Sequence, residues 1–225
     1  MSCYFIAGTD TDCGKTQITL ALLAYFQRQN LTTLGLKPVA AGINQQHKND
    51  DAEQLNQASS IILDYKTTNP YLFNEPISPH IAAANEGKTI NLNDLINWLN
   101  PLKNQADIVL VEGAGGWYAP ISDEDTMADI PVQNQLPVIL VVGLKLGCLN
   151  HALLTVEAIQ NAGCQLVGWI GNQLDPNMKA LNQNILTLKR CIHADCFGII
   201  PYQQEIQPIT ISHLFNCHKI RQLNK

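Results

Sequence analysis

The stretch Gly8-Thr9-Asp10-Thr11-Asp12-Cys13-Gly14-Lys15-Thr16, GTDTDCGKT, decides how the rest of the chain is read. It follows the apolar run CYFIA (residues 3–7) and precedes KTQITLALLAYFQRQ (15–29), where Ile18, Leu22, Leu23 and Phe26 recur at helical spacing. A buried strand, a glycine turn and a helix in that order make an anion site. The turn's amide hydrogens and the helix amino terminus both point at one place. Gly8 and Gly14 allow close backbone approach, Lys15 can reach the β- and γ-phosphates, and the Thr16 hydroxyl can ligate magnesium. The common form of this motif has four residues between its glycines; here there are five.

Outward from the loop, apolar runs alternate with amphipathic ones. The strands are expected in TTLGLKPV (32–39, ending at Pro38), ADIVLVE (106–112), LPVILVVG (136–143), QLVGWIGN (165–172) and DCFGIIP (195–201). The helices are expected in DDAEQLNQASS (50–60), NLNDLINWLNPL (91–102, capped by Asn91 or Asn93), LNHALLTVEAIQNAG (149–163, stopping at Gly163) and NMKALNQNILTLKRC (177–191). Strands separated by helices of this length imply an α/β fold of phosphate-loop NTPase type. Its central sheet is mostly parallel, with helices on both faces. Residues 1–225 read as one domain, with an irregular insertion from about Asn44 to Glu86.

Composition narrows the class. The chain is 46% hydrophobic and 15% charged, as in a globular protein, and its net charge of −5 argues against a nucleic-acid surface. No window approaches the roughly 20 apolar residues of a membrane span, and there is no basic leader, so a cytoplasmic protein is expected. Seven cysteines at irregular spacing fit no zinc pattern, even where Cys191 and Cys196 lie near His193 and His218. They read as free thiols in a reducing compartment.

Candidate chemistry collects at strand ends, where open parallel sheets bind ligands. Glu112 ends IVLVE before GAGG, so it should lie near Thr16 and share a magnesium ion with it. Asp51 is a second carboxylate candidate, no better by spacing than Asp50. Lys37 ends the second strand and is either a second phosphate-facing lysine or a solvated surface one. Gly147, Cys148, Leu149 and Asn150 form another glycine turn before a helix, either an anion site or an ordinary helix start with Asn150 as cap. Asn172 could read an adenine edge or simply begin a turn.

Taken together, these segments resemble the dethiobiotin synthetase family. The carriers are GTDTDCGKT, LKPVAAG (36–42), TTNPYLFNEPISPHIAA (67–83), VLVEGAGGWYAPISD (109–123), LPVILVVGLKLGCLNHALLT (136–155), GWIGNQLDP (168–176) and GIIPY (198–202), in the expected order. The five-residue spacing of the loop is also what that family looks like. The resemblance implies an ATP-dependent cyclo-ligase with magnesium as cofactor. Carbon dioxide and 7,8-diaminopelargonate form a carbamate, ATP phosphorylates it to a carbamic–phosphoric anhydride, and ring closure gives dethiobiotin, ADP and phosphate. It implies Lys37, Lys15 and Thr11 as catalytic. It puts ATP on Asp12, Cys13, Gly14, Lys15, Thr16, Gln17, Asp51, Glu112, Gly113, Ala114, Gly115, Asn172, Gln173, Pro201, Tyr202 and Gln203. Magnesium falls to Thr16, Asp51 and Glu112, which selects Asp51 over Asp50. Thr11, Lys37, residue 41 and Gly147–Asn150 would hold the diamine, the last segment reaching across a two-fold homodimer.

Two departures stand out. Ala41 occupies a position where the family usually carries a serine hydroxyl, and Gln173 stands where an acid is expected. A partner-regulated ATPase switch of the septum- or chromosome-positioning type is the alternative reading. It is disfavoured because Thr9 and Asp10 occupy the place of that group's extra lysine. A corrinoid amidase would need a glutaminase domain that the chain has no length for, and a small-molecule kinase would not depend on bicarbonate.

Overall fold

The computed structural model describes residues 2–204 and 208–216. In chain order the elements are β1 (Ser2–Gly8), α1 (Lys15–Gln27), β2 (Thr33–Leu36), β3 (Val39–Ala41), α2 (Asp50–Ala58), α3 (Tyr65–Thr68), β4 (Tyr71–Phe73), α4 (Pro79–Asn85) and α5 (Leu92–Leu102). Then come β5 (Ile108–Glu112), α6 (Asp129–Asn134), β6 (Val138–Leu144), α7 (Cys148–Asn161), β7 (Leu166–Gln173), α8 (Leu181–Cys191), β8 (Asp195–Ile200), α9 (Pro208–Ile211) and a 3-10 turn (Ser212–Leu214).

Six strands form a sheet in the order β2-β5-β1-β6-β7-β8, every neighbouring pair parallel. The chain steps from β1 out to the β2 edge, returns to β5, then crosses to β6 on the other side of β1. That reversal opens a crevice beyond the carboxyl end of β1, where this class of sheet binds ligands.

Side-chain alternation along the strands builds two cores. Tyr4, Ile6, Leu110, Ile139, Val141 and Ile170 pack with α1, α2 and the carboxyl-terminal Ile211 and Phe215. Phe5, Ala7, Val109, Val111, Leu140 and Val142 pack with α5, α7 and α8. Each such side chain contributes about 1.5–3 kcal/mol on burial. α1 is apolar nearly all round because it is covered twice. The sheet lies beneath it and α9 with the 3-10 turn lies above, where Arg28 donates to Ser212 Oγ at 2.9 Å. Asn91, not Asn93, caps α5, accepting from Asn93 N and Asp94 N.

Three expectations are corrected. The second strand stops at Leu36 rather than Pro38, since proline offers no amide to a ladder. Beyond it the chain leaves the main sheet, and β3 pairs in parallel with β4 in a separate two-stranded sheet. The insertion between Asn44 and Glu86 is not irregular, for it holds α2, α3, β4 and α4. The helix expected from Asn177 begins at Leu181, because Ala180 takes a left-handed φ of 56° and Asp175 Oδ1 closes a turn on Asn177 N. Cys217 and His218 lie outside the described residues.

Candidate active site

β1 delivers the chain to the sheet's carboxyl edge at Gly8, and α1 starts at Lys15. Between them the loop closes tightly. Asp12 and Gly14 take left-handed φ values of 57° and 90°. A Cβ at Gly14 would overlap the amide nitrogen of Asn172, so this position needs glycine for space as well as for conformation. The Cys13 side chain is fully buried beneath the loop. The Lys15 ammonium folds back along the loop and donates to Asp10 O at 3.0 Å.

Beside the loop sits a buried charge group assembled from three distant parts of the chain. Lys37 Nζ lies 2.6 Å from Glu112 Oε1 and 3.2 Å from Asp51 Oδ2. Thr16 Oγ1 donates to the same Glu112 Oε1 at 2.9 Å. Glu112 is inaccessible to solvent, and its Oε2 has no hydrogen-bond partner among the described residues.

Local structure explains each placement. Glu112 is the last residue of β5, the strand between the β2 edge and β1. Asp51 sits in the first turn of α2, where a carboxylate suits the helix dipole and Asn49 supplies the cap to Ala52 N. Asp50 points elsewhere, accepting from Asn44 Nδ2 at 2.8 Å. Lys37 is gripped through its backbone: its amide donates to Thr68 O at 2.9 Å, and its carbonyl accepts from Asn69 Nδ2 at 2.7 Å. Burial alone would lower the lysine's pKa; the charges of Glu112 and Asp51 outweigh it and hold the ammonium above its ordinary value.

A cavity of about 840 Å³ opens over this group. Thr11, Asp12, Gly14, Lys15, Thr16, Gln17, Lys37, Ala41, Asp51, Ala114 and Gly115 all line it. Glu112 and Gly113 lie just beneath: Gly113 N donates to Ile6 O, and only their neighbours reach the surface. Sequence reading missed Asn49, Pro76, Ile77, Ser78 and Pro79, which also line the cavity, as do Ala40, Gly116 and Ala119. The proline-flanked EPISPH run (75–80) was the available signal.

Asn172, Gln173, Pro201, Tyr202 and Gln203, the residues expected at the adenine, do not line the cavity. Asn172, the penultimate residue of β7, donates from Nδ2 to Cys13 O at 3.0 Å, and its buried Oδ1 has no hydrogen-bond partner among the described residues. Gln173 Oε1 accepts from Tyr202 N at 3.2 Å, which fastens the Pro201–Gln203 segment to β7. Gly147, Cys148, Leu149 and Asn150 do not line the cavity. They stand at the start of α7, where Leu146 is 94% exposed and Leu154 57%.

Burial pushes the thiols of Cys3 (up to about 12), Cys148, Cys164 and Cys196 upward, which keeps them protonated. Among the described residues no three His, Cys, Asp or Glu side chains cluster as a metal cage.

The sequence model of a family described as an AAA domain matches residues 2–210. The ATP-dependent dethiobiotin synthetase BioD 1 of Escherichia coli (strain K12) is 49% identical over 205 residues, covering 90% of this chain and 91% of that protein. The chain belongs to the dethiobiotin synthetase family. The BioD protein of Cellvibrio japonicus is similar in the same way, 46% identical over 201 residues and 88% of each chain. Among solved structures, the MinD cell division protein of Aquifex aeolicus superposes with a TM-score of 0.61 over 100% of this chain and 98% of its own, at 14% identity. The cell division ATPase MinD of Pyrococcus furiosus gives 0.59 at 13% identity. These two share the phosphate-loop NTPase fold. No helix among the described residues is long and apolar enough to cross a membrane.

Proposed function

We propose that this chain, acting as one domain per site, closes the ureido ring of dethiobiotin from 7,8-diaminopelargonate, carbon dioxide and ATP. It is an ATP-dependent ligase of biotin biosynthesis. The observation that carries the reading is the buried Lys37–Glu112–Thr16 group, set between the phosphate loop and an open cavity in a chain of this family.

The chemistry needs two anions to meet. One amine of the diamine attacks carbon dioxide and loses a proton, giving a carbamate. A carbamate oxygen attacks the γ-phosphorus, and ADP leaves. The second amine attacks the anhydride carbonyl, the ring closes, and phosphate departs. Lys15 and the loop amides would follow charge on the triphosphate, Lys37 would neutralise the carbamate as it approaches, and the Thr11 hydroxyl would face the transferring group. Holding the two reactants in line can remove about 7–11 kcal/mol of barrier in favourable cases. Asn172 Oδ1, with Gln173 and Pro201–Gln203 alongside, would meet the adenine; Asp12, Cys13, Gln17, Gly113, Ala114 and Gly115 would frame the phosphates.

The donor set fits magnesium. Thr16 Oγ1, Asp51 and the unpartnered Oε2 of Glu112 are hard oxygen ligands beside the phosphate loop. Bound there, the cation would neutralise phosphate charge.

A homodimer is supported by the position of residues 147–150, outside the lining of their own cavity but beside the exposed Leu146, Leu153 and Leu154. An isologous contact on this face would carry the segment to the neighbour's diamine.

The test is direct. Purified protein with ATP, magnesium, diaminopelargonate and bicarbonate should release ADP and dethiobiotin in equal amounts. ADP without ring product at saturating diamine would reject the assignment.

A further inference from the structure

The phosphate loop is tethered sideways to a strand that it does not belong to. Thr9 N donates to Val141 O at 3.0 Å, and Gly143 N donates to Thr9 Oγ1 at 3.2 Å. The next residue, Asp10, is engaged at three points. Its Oδ1 accepts from Thr11 N at 2.8 Å, its Oδ2 from Lys145 Nζ at 3.0 Å, and its backbone oxygen from Lys15 Nζ at 3.0 Å. Lys145 follows β6 directly and stands two residues before Gly147. One aspartate thus joins the start of α7 to both Thr11 and Lys15, which line the cavity.

The tether matters because little burial holds this part of the loop. Thr11 and Asp12 are exposed, and Asp12 is in the left-handed region. The Lys145 and Asp10 side chains are 40% and 42% exposed, so as a stabilising pair they contribute little. Their geometric effect is larger, since the Asp10 carboxylate must stay where its other oxygen receives the Thr11 amide. The Lys145 hydrogen bond, then the Thr11 amide and the nearby His151, hold that carboxyl below its ordinary pKa against the effect of burial, which keeps it an acceptor.

We propose that Lys145 is a positioning residue for the phosphoryl-transfer step, acting through Asp10 to fix the Asp10–Thr11 peptide where Thr11 and Lys15 face the transferring phosphate. This rests on the ring-closing reading above. It makes Lys145 distinct from the segment that follows it, because its ammonium is directed at the chain's own phosphate loop.

The variants are Lys145→Met, Lys145→Arg, Asp10→Asn and the Lys145→Met/Asp10→Asn double. Lys145→Met should lower kcat about threefold to tenfold, with the diamine KM and the thermal midpoint unchanged. Lys145→Arg should restore kcat to within about twofold, and the double variant should be no slower than the slower single one. An unaltered kcat, or a midpoint that falls in step with activity, would overturn the proposal. A raised diamine KM at constant kcat would also do so, by assigning Lys145 to substrate contact. Hydrogen exchange of residues 9–14 needs no turnover: faster exchange in Lys145→Met supports the tether even if the wild-type protein made no dethiobiotin, and unchanged exchange sinks it.

Discussion

Lys37 and Glu112 face each other at 2.6 Å in the interior, 75 residues apart in sequence, the lysine 4% exposed and the glutamate not at all. A pair of this kind is held by its mutual compensation. Desolvating each ion costs several kcal/mol, and removing one partner leaves the other charged in a poor medium. The proposed catalytic lysine is therefore also a structural counter-ion, and its removal has two consequences rather than one.

Lys37→Met should abolish ring formation and also destabilise the protein by about 3–5 kcal/mol, because Glu112 is left with only the Thr16 hydroxyl. Adding Glu112→Gln should recover most of the stability and none of the turnover. Urea denaturation and product assay on the single and double variants separate the two effects. A single variant as stable as wild type would show that Glu112 is neutral or otherwise paired.

The same group sets a pH dependence. The Lys37 pKa is raised in the folded state: burial opposes this, and Glu112 and Asp51 overcome it. Its contribution is complete below the ordinary value of 10.5 and should fade as pH rises through the higher folded value. Asp10 runs the other way. Lys145 lowers its pKa, so its small contribution is present above 3.8 and is lost as pH falls through the lower folded value. Stability against pH should therefore lose part of its alkaline limb in Lys37→Gln and part of its acid limb in Asp10→Asn. Identical profiles for variants and wild type would contradict both assignments.

Much of this site is legible in sequence because its key residues end long, buried strands. IVLVE can only be a central strand, so Glu112 must emerge at the ligand edge, and the glycine loop must emerge beside it. Other parts depend on contacts that no periodicity carries. Asp50 and Asp51 are equivalent by spacing, and only the rotation of α2 sends one to Lys37 and the other to Asn44. Part of the cavity's lining comes from Asn49 and Pro76–Pro79, within an insertion whose strand β4 has three residues, too short to show alternation. The grip of Thr68 and Asn69 on the Lys37 backbone, which gives TTNP its purpose, is a tertiary fact alone.

Gly14 gives a steric prediction. Alanine there meets a φ of 90°, costing about 1–3 kcal/mol, and its methyl overlaps the Asn172 amide. Gly14→Ala should weaken ATP binding measured by calorimetry. Asn172→Ala relieves the overlap but not the backbone strain and also removes the proposed adenine contact, so the double variant is compared with Asn172→Ala alone, and Gly14→Ala should still weaken binding in that background. Equal affinity in those two would mean that conformation at residue 14 is unimportant.

Ala41 lines the cavity and is half-buried. Restoring the hydroxyl usual in the family adds one neutral hydrogen bond, worth about 0.5–1.5 kcal/mol. Ala41→Ser should lower the apparent diamine constant about threefold to tenfold, with the ATP constant unmoved. No change in the diamine constant would show that another group already makes that contact.

The proposed exchange of residues 147–150 between protomers predicts complementation. Lys37→Met removes a site's proposed catalytic lysine but leaves its chain with an intact segment. Asn150→Ala, at an exposed position in the first turn of α7, damages the segment but keeps Lys37. In a mixed dimer, one site would combine the intact lysine with the intact segment. Two poorly active proteins, mixed and allowed to exchange subunits, should therefore regain turnover that neither shows alone. Placing Leu154→Asp on the exposed face of α7 should make the chain monomeric by sedimentation and abolish the recovery. If mixing restores nothing while mixed dimers form, each cavity is served by its own chain.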